Sequence, residues 1–277
     1  MTGFSLLMCL YAKENPDDFR QCLESIDRLN IMPAEIIIVK DGPLTDELEE
    51  VLKSHDFLCA INIIALPENV TLGPARAIGV EAAKNEWVAI MDTDDICRPD
   101  RFDKQFNMIV CESKLGLIGG QISEFMDASG NEETAKNVPL THEEIVRFAK
   151  VRNPFNHMTV MFRRDEVLAA GNYRYFPYFE DYDLWTRMIN NGTMCANHSD
   201  ILVDARTDSG TYARRRGLAY IRLEVRLQKQ LRSLGITTGF EYFRNILLRV
   251  PVRLLPGRML AGLYRGLLRN NLKGKTG

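Results

Sequence analysis

Asp92-Thr93-Asp94-Asp95 places three carboxylates within four residues. Like charges held that close raise one another's pKa, so the cluster is costly to build unless a cation neutralises it. Oxygen-only ligands suit Mn2+ or Mg2+, which are held by one or two protein carboxylates together with substrate phosphates. The competing reading is an acidic loop in front of the helix that starts near Pro99, where the helix dipole favours negative charge. A second acidic pair, Glu180-Asp181, opens a helical pattern behind a run of aromatic residues, Tyr173 to Phe179. By itself that pair could be no more than the negative first turn of a helix. Asp41, before Gly42-Pro43, is equally compatible with a ligand contact and with an ordinary turn. His157 is a lone histidine at the approach to an apolar run, a setting in which a satisfied structural role is commoner than ligation.

The elements that must position these acids read as an α/β domain. Phe4 to Leu10 is an apolar strand. Asn15-Pro16 then starts a helix carrying Phe19, Cys22, Leu23, Ile26 and Leu29 at helical spacing. Glu35 to Val39 is apolar on both faces, as a buried parallel strand should be. A helix from about Thr45 to Ser54, a strand at Ile61 to Leu66, a helix opened by Pro74 and a strand at Glu86 to Met91 follow, and the acids begin where that strand ends. Further on, the pattern predicts a helix from Arg101 to Cys111, a strand from Leu115 to Phe125, a polar loop from Met126 to Val138, a capped helix start at Thr141 to Glu144, a strand from Asn156 to Arg163 and a helix from Glu180 to Asn190. Ligands of open parallel sheets sit at the carboxyl ends of the strands. Tyr11 to Glu14, Asp41-Gly42 and the Asp92 cluster would converge there. No Gly-x-Gly-x-x-Gly follows the first strand and no P-loop occurs, so a bound diphosphate would need another counter-charge, for which a metal is the obvious candidate.

Val88 to Asp95 with Pro99-Asp100-Arg101-Phe102 resembles the strand and Asp-x-Asp segment of family-two inverting glycosyltransferases of the GT-A fold. The likeness extends to Lys40-Asp41-Gly42-Pro43, to Asn69 through Gly79, and to Phe179-Glu180-Asp181-Tyr182-Asp183-Leu184-Trp185. The chain is further similar to bacterial O-antigen and exopolysaccharide glucosyl- and galactosyltransferases through residues 39–44, Asn153-Pro154-Phe155-Asn156-His157 and Arg214-Arg215-Arg216-Gly217.

The resemblance implies a division of labour. Tyr11, Ala12 and Glu14 would pack against the nucleoside and Asp41 would accept from a uracil ring. Arg76 would approach the phosphates or the sugar, and Asp92 the ribose or the metal's hydration shell. Asp94 would be the direct ligand of Mn2+ or Mg2+, with Asp92 and, behind it, Asp95 as lesser candidates. Inversion needs a carboxylate opposite the leaving diphosphate to take the acceptor's proton, and Asp181 is the candidate. Glu180, His157 and Trp185 are candidates for the acceptor side, although a tryptophan such as Trp185 is more often core than sugar platform. Asp183 and Arg187 could orient the base or the acceptor. The donor would be a UDP-sugar carrying glucose or galactose, and the acceptor an undecaprenyl-diphosphate-linked saccharide.

At 277 residues, with 45% hydrophobic and 26% charged side chains, the chain is an ordinary globular one rather than a disordered or membrane-spanning one. Its six cysteines lack Cys-x-x-Cys spacing and read as reduced thiols of a cytoplasmic protein; Met1 to Tyr11 does not read as a signal peptide. The net charge of -2 conceals an asymmetry. Residues 212–277 carry 15 Lys and Arg against Glu224 and Glu241 alone, leaving the preceding 211 residues strongly acidic. We therefore divide the chain into a GT-A domain over 1–211 and a basic helical appendage over 212–277, with helices at Leu218 to Leu234, Phe240 to Val250 and Arg258 to Arg269. Arginine mixed with aliphatic residues suits a helix lying on the anionic inner face of the cytoplasmic membrane, and no nucleic-acid-binding motif accompanies the charge. A packed bundle with a solvated basic face is the alternative. Rival functions are a sugar-phosphate nucleotidyltransferase, which would want a glycine-rich basic loop where Tyr11 to Glu14 stands, and a non-catalytic membrane-bound nucleotide-sugar sensor.

Overall fold

The computed structural model describes residues 3–125, 134–207 and 217–251. The chain forms two compact units divided between Arg206 and Thr207, a few residues before the boundary suggested by charge.

In the first unit, β1 (Phe4–Leu10), β2 (Glu35–Lys40), β3 (Ala60–Ala65) and β4 (Trp87–Ile90) pair in parallel in the order β3-β2-β1-β4. The linking helices are set by local signals. In α1 (Pro16–Ile26) the Asn15 side chain accepts from the Asp17 N–H, and the helix buries Phe19, Cys22, Leu23 and Ile26. In α2 (Asp46–Ser54) Thr45 is the cap. In α3 (Leu72–Ala82) Gly79 faces β1 and β2 so closely that a Cβ there would lie 2.2 Å from a Leu7 methyl. The residue preceding α3, Thr71, has φ +76° and ψ 160°, a region that suits glycine rather than a β-branched side chain.

The downstream half extends the same sheet. The chain leaves β4 through the acidic turn and immediately forms the two-residue β5 (Ile96–Cys97). It continues through α4 (Arg101–Cys111), β6 (Leu115–Phe125), β7 (Thr134–Lys136) and α5 (His142–Phe148). Thr141 and Glu144 cap α5 reciprocally, as their spacing predicts. Next come a 3-10 turn at His157–Thr159, β8 (Met161–Arg163), α6 (Arg164–Ala169), α7 (Glu180–Asn190) and β9 (Met194–Arg206). The short β8 lies antiparallel between β4 and β6, and β9 runs parallel to β6, so β1, β2, β3, β4, β6 and β9 share one direction.

Three expectations are corrected. The strand expected over Asn156 to Arg163 is only β8 at its end, because the Thr159 N–H and hydroxyl both donate to Asn156 O and close a turn. Within the expected loop at Met126 to Val138, residues 134–136 pair with β6; residues 126–133 lie outside the described ones. β5, α6 and β9 are additional elements. The helix expected at Arg258 to Arg269 also lies outside the described residues.

The second unit contains α8 (Gly217–Ser233) and α9 (Gly239–Arg249). Glu224 is fully buried and ion-paired with Arg249 at 2.6 Å; Asn245 Nδ2 donates to Gln228 Oε1 at 3.0 Å. The outer face of α9 is apolar, with Phe240, Phe243 and Leu247 78%, 72% and 73% exposed. Among the described residues, no helix is long and apolar enough to cross a membrane.

Candidate active site

The site lies where strand order reverses, beyond the carboxyl ends of β1 and β4, with β2 alongside β1. Asp41 follows β2. Its Oδ1 accepts from the Val70 N–H at 2.7 Å and its Oδ2 from Asn69 Nδ2 at 3.0 Å, so the loop before α3 is tied to this carboxylate. Gly42 has φ +87°, and a Cβ there would lie 2.8 Å from Asn69 N; only glycine lets the two loops meet in this way. Tyr11 to Glu14 forms a turn after β1, closed by Glu14 N–H donating to Tyr11 O at 3.1 Å, with Ala12 exposed at the same sheet end.

The acidic turn between β4 and β5 distributes its carboxylates unequally. Asp92 meets Arg76 at 3.0 Å and lies 3.6 Å from His157 Nδ1, beyond hydrogen-bond length. Burial opposes its charge, but His157 and Arg76 outweigh burial and hold its carboxyl below the usual range. Asp94, with burial and the neighbouring Asp92 charge acting together, is pushed up to about 6. Asp95 is buried, and that burial, with Asp94 and Asp92, raises it well above the usual range. Its Oδ1 accepts from the Arg206 N–H at 2.8 Å, while Oδ2 is buried with no hydrogen-bond partner. Arg206 also donates from Nε to Asp94 O at 3.1 Å, so the end of β9 clamps the turn.

This donor set fits a hard divalent cation: all oxygen, clustered, with one buried orphaned atom and two carboxyls, Asp94 and Asp95, pushed toward their neutral forms. No three His, Cys, Asp or Glu side chains among the described residues form a cage by themselves. An ion here would be shared with a ligand's phosphates.

Arg76, expected to approach the phosphates or the sugar, is engaged by both acidic motifs. Its side chain is buried, with Nη2 on Asp92 and Nη1 on Glu180 Oε1 at 3.3 Å. Burial works against its charge, but Asp92 and Glu180 raise its pKa further. It joins the two acidic motifs as a bridge instead of presenting an open guanidinium to phosphates. Glu180 Oε2 is buried without a hydrogen-bond partner, and burial, opposed by Arg76 and reinforced by Asp181, raises the pKa of that carboxyl.

Asp181, at the start of α7, accepts from the Tyr182 N–H at 2.7 Å and from Asn153 Nδ2 at 2.6 Å. His157 is placed against Asp92 and shares a hydrogen bond of 3.1 Å with Tyr173 OH. Trp185, an acceptor-side candidate, takes the core position that the sequence also allowed. Its side chain is fully buried, packed among Phe155, His157, Phe162 and Tyr173, and offers no ring face to a sugar. Asp183 and Arg187 form a buried pair at 2.7 Å, and Arg187 donates on to Asn172 O; they fasten α7 to the loop ahead of it rather than orient an acceptor. Asn153, Tyr173 and Arg206 are residues that charge and spacing did not single out for a role. Asn153 carried the one available signal, its place in the resembling segment at residues 153–157.

A nucleotide-sugar-type sheet whose switch point carries a cation-ready acidic turn, bridged to a second acidic motif on a helix N-terminus, defines a GT-A glycosyltransferase. A family profile described as Glycosyl transferase family 2 matches residues 5–170, and the chain belongs to that family. It is 40% identical over 264 residues to the amylovoran biosynthesis glycosyltransferase AmsE of Erwinia amylovora, covering 94% of this chain and 97% of the relative. It is 31% identical over 269 residues to an Escherichia coli UDP-Gal:alpha-D-GlcNAc-diphosphoundecaprenol beta-1,3-galactosyltransferase, covering 97% and 98%. In fold it matches Staphylococcus aureus TarS residues 1–349 in complex with UDP-GlcNAc, with a TM-score of 0.66 at 14% identity over 99% of this chain and 76% of that one. It also matches the mannosyltransferase PcManGT of Pyrobaculum calidifontis in complex with GDP-Man and Mn2+, with a TM-score of 0.63 at 14% identity over 96% and 75%.

Proposed function

We propose that this glycosyltransferase moves a hexose, glucose or galactose, from its UDP donor to a GlcNAc or oligosaccharide carried on a lipid diphosphate, with inversion, in O-antigen or exopolysaccharide assembly. The observation that carries the mechanism is the Arg76 bridge, which sets the donor acid Asp92 and the Glu180-Asp181 motif on opposite sides of one guanidinium. A 31% identity to the galactosyltransferase over nearly the full length of both chains supports the choice of donor and acceptor.

Tyr11, Ala12 and Glu14 line the nucleoside end, and Asp41, already held by Asn69 and Val70, has lone pairs left to accept from a uracil N–H. Asp94, with Asp92, would hold Mn2+ or Mg2+, whose charge stabilises the departing diphosphate. Asp181 takes the proton of the acceptor hydroxyl as its oxygen bonds to the anomeric carbon; the bond from that carbon to the diphosphate breaks and UDP leaves with the electron pair. Glu180 and His157 act from beside this path, through Arg76 and Asp92.

The acceptor's lipid places the reaction at the inner face of the cytoplasmic membrane. The exposed Phe240, Phe243 and Leu247 face, in a segment without an acid after Glu241, supports peripheral attachment to anionic lipid.

The test is a screen of purified protein with Mn2+, a panel of UDP-sugars and synthetic GlcNAc-diphospholipid. Sugar transfer with UDP release is expected from UDP-galactose or UDP-glucose; no release from any pair would sink the reading. Asp181→Asn should bind UDP and Mn2+ as the parent does while losing transfer.

A further inference from the structure

Asn153 stands in the loop between α5 and the 3-10 turn, and its amide is fixed from both ends. Its Oδ1 accepts from the Phe155 backbone N–H at 3.2 Å. An N–H can only donate, so this contact determines which end of the amide is oxygen and leaves Nδ2 toward Asp181 Oδ2 at 2.6 Å. The loop itself is pinned to the framework. Tyr182 OH donates to Ala149 O at 2.6 Å, Asn197 Nδ2 to Pro154 O at 3.1 Å and Asn156 Nδ2 to Gly120 O at 3.0 Å. With Tyr182 N–H on Oδ1 and Asn153 Nδ2 on Oδ2, both oxygens of Asp181 are engaged and the carboxylate plane is set. Each oxygen retains a lone pair for a proton arriving from a ligand.

We propose that Asn153 is the positioning residue for Asp181: its amide donor holds the carboxylate in the orientation that meets the acceptor hydroxyl. The inference rests on the reading of Asp181 as the base. It adds a residue of the loop before β8 to a function otherwise carried by α7.

Two variants separate positioning from loop structure. Asn153→Ala removes both contacts. Asn153→Asp keeps an oxygen for the Phe155 N–H, and so the turn, but sets a second carboxylate against Asp181 in place of the donor. With UDP-galactose and synthetic GlcNAc-diphospholipid, both variants should lose roughly 10- to 100-fold in kcat, as expected for a misplaced reacting group. Donor KM, UDP affinity and the melting temperature of Asn153→Asp should stay near the parent's. In an Asp181→Asn background, Asn153→Asp should cost nothing further. A parent-like kcat in Asn153→Asp would assign the residue to loop structure alone, and a loss confined to donor KM, or one that multiplies with Asp181→Asn, would likewise overturn positioning. Full transfer by Asp181→Asn would remove the base reading, and this proposal with it.

Discussion

Asp92 and Asp94, two residues apart, are under opposite protonation pressures. Asp92 is kept ionised by His157 and Arg76 against its burial, whereas Asp94 is raised from 3.8 to about 6 by burial and by Asp92 itself. A folded-state pKa above the unfolded one means that the native protein holds the extra proton between those values. Without a cation, the contribution of Asp94 to stability should therefore fall as pH rises from about 4 to about 6 and stay low above that. A divalent cation competes with that proton. Mn2+ should raise the melting temperature more at pH 7.5 than at pH 5, and the pH dependence of the shift should disappear in Asp94→Asn; an equal shift at both pH values would argue against Asp94 as ligand. The acids themselves were legible in the sequence because clustered charge is a local signal. Their partners were not. Arg206 reaches Asp95 across 111 residues and Asn153 reaches Asp181 across 28, separations that no spacing rule connects.

Among the elements, α3 carries Arg76 and is entered through a strained backbone position. Thr71 holds a conformation that costs a β-branched residue roughly 1–3 kcal/mol. Glycine would relieve it while losing about 0.5–1 kcal/mol to greater freedom in the unfolded chain. Thr71→Gly should therefore raise the urea midpoint, by about 1 kcal/mol of stability; a lower midpoint would show that the Thr71 side chain contributes more than its backbone costs. The parallel strands and their helices could be read from sequence because their apolar runs and caps are local, as at Asn15-Pro16 and Thr45. β9 could not, because Asn197-His198-Ser199-Asp200 interrupts its apolar pattern and its register with β6 shifts beside Gly119 and again at Gln121. β5 is two residues long, and only its pairing with Val203 and Asp204 makes it a strand.

At the scale of the whole molecule, opposite charges are segregated into two units, an acidic sheet domain and a basic helical one. Burying one large apolar side chain in a lipid interface contributes roughly 1.5–3 kcal/mol. Phe243→Asp with Leu247→Asp should therefore weaken flotation with anionic vesicles by at least about tenfold, and truncation after Thr211 should reduce it further. In the parent, binding should decline as salt rises. Vesicle binding indifferent to both changes would reject α9 as the contact. The sheet domain, for its part, has its working geometry gauged at a point that no ligand reaches. Gly79 lies one helical turn past Arg76 and rests directly on Leu7 and Val39. A single methyl there would act as a shim between helix and sheet, lifting the guanidinium from Asp92 and Glu180 together. Gly79→Ala should therefore cost about 1–3 kcal/mol of stability and impair donor binding and transfer in step. The spacing between the two halves of the reaction is thus calibrated by an absent side chain.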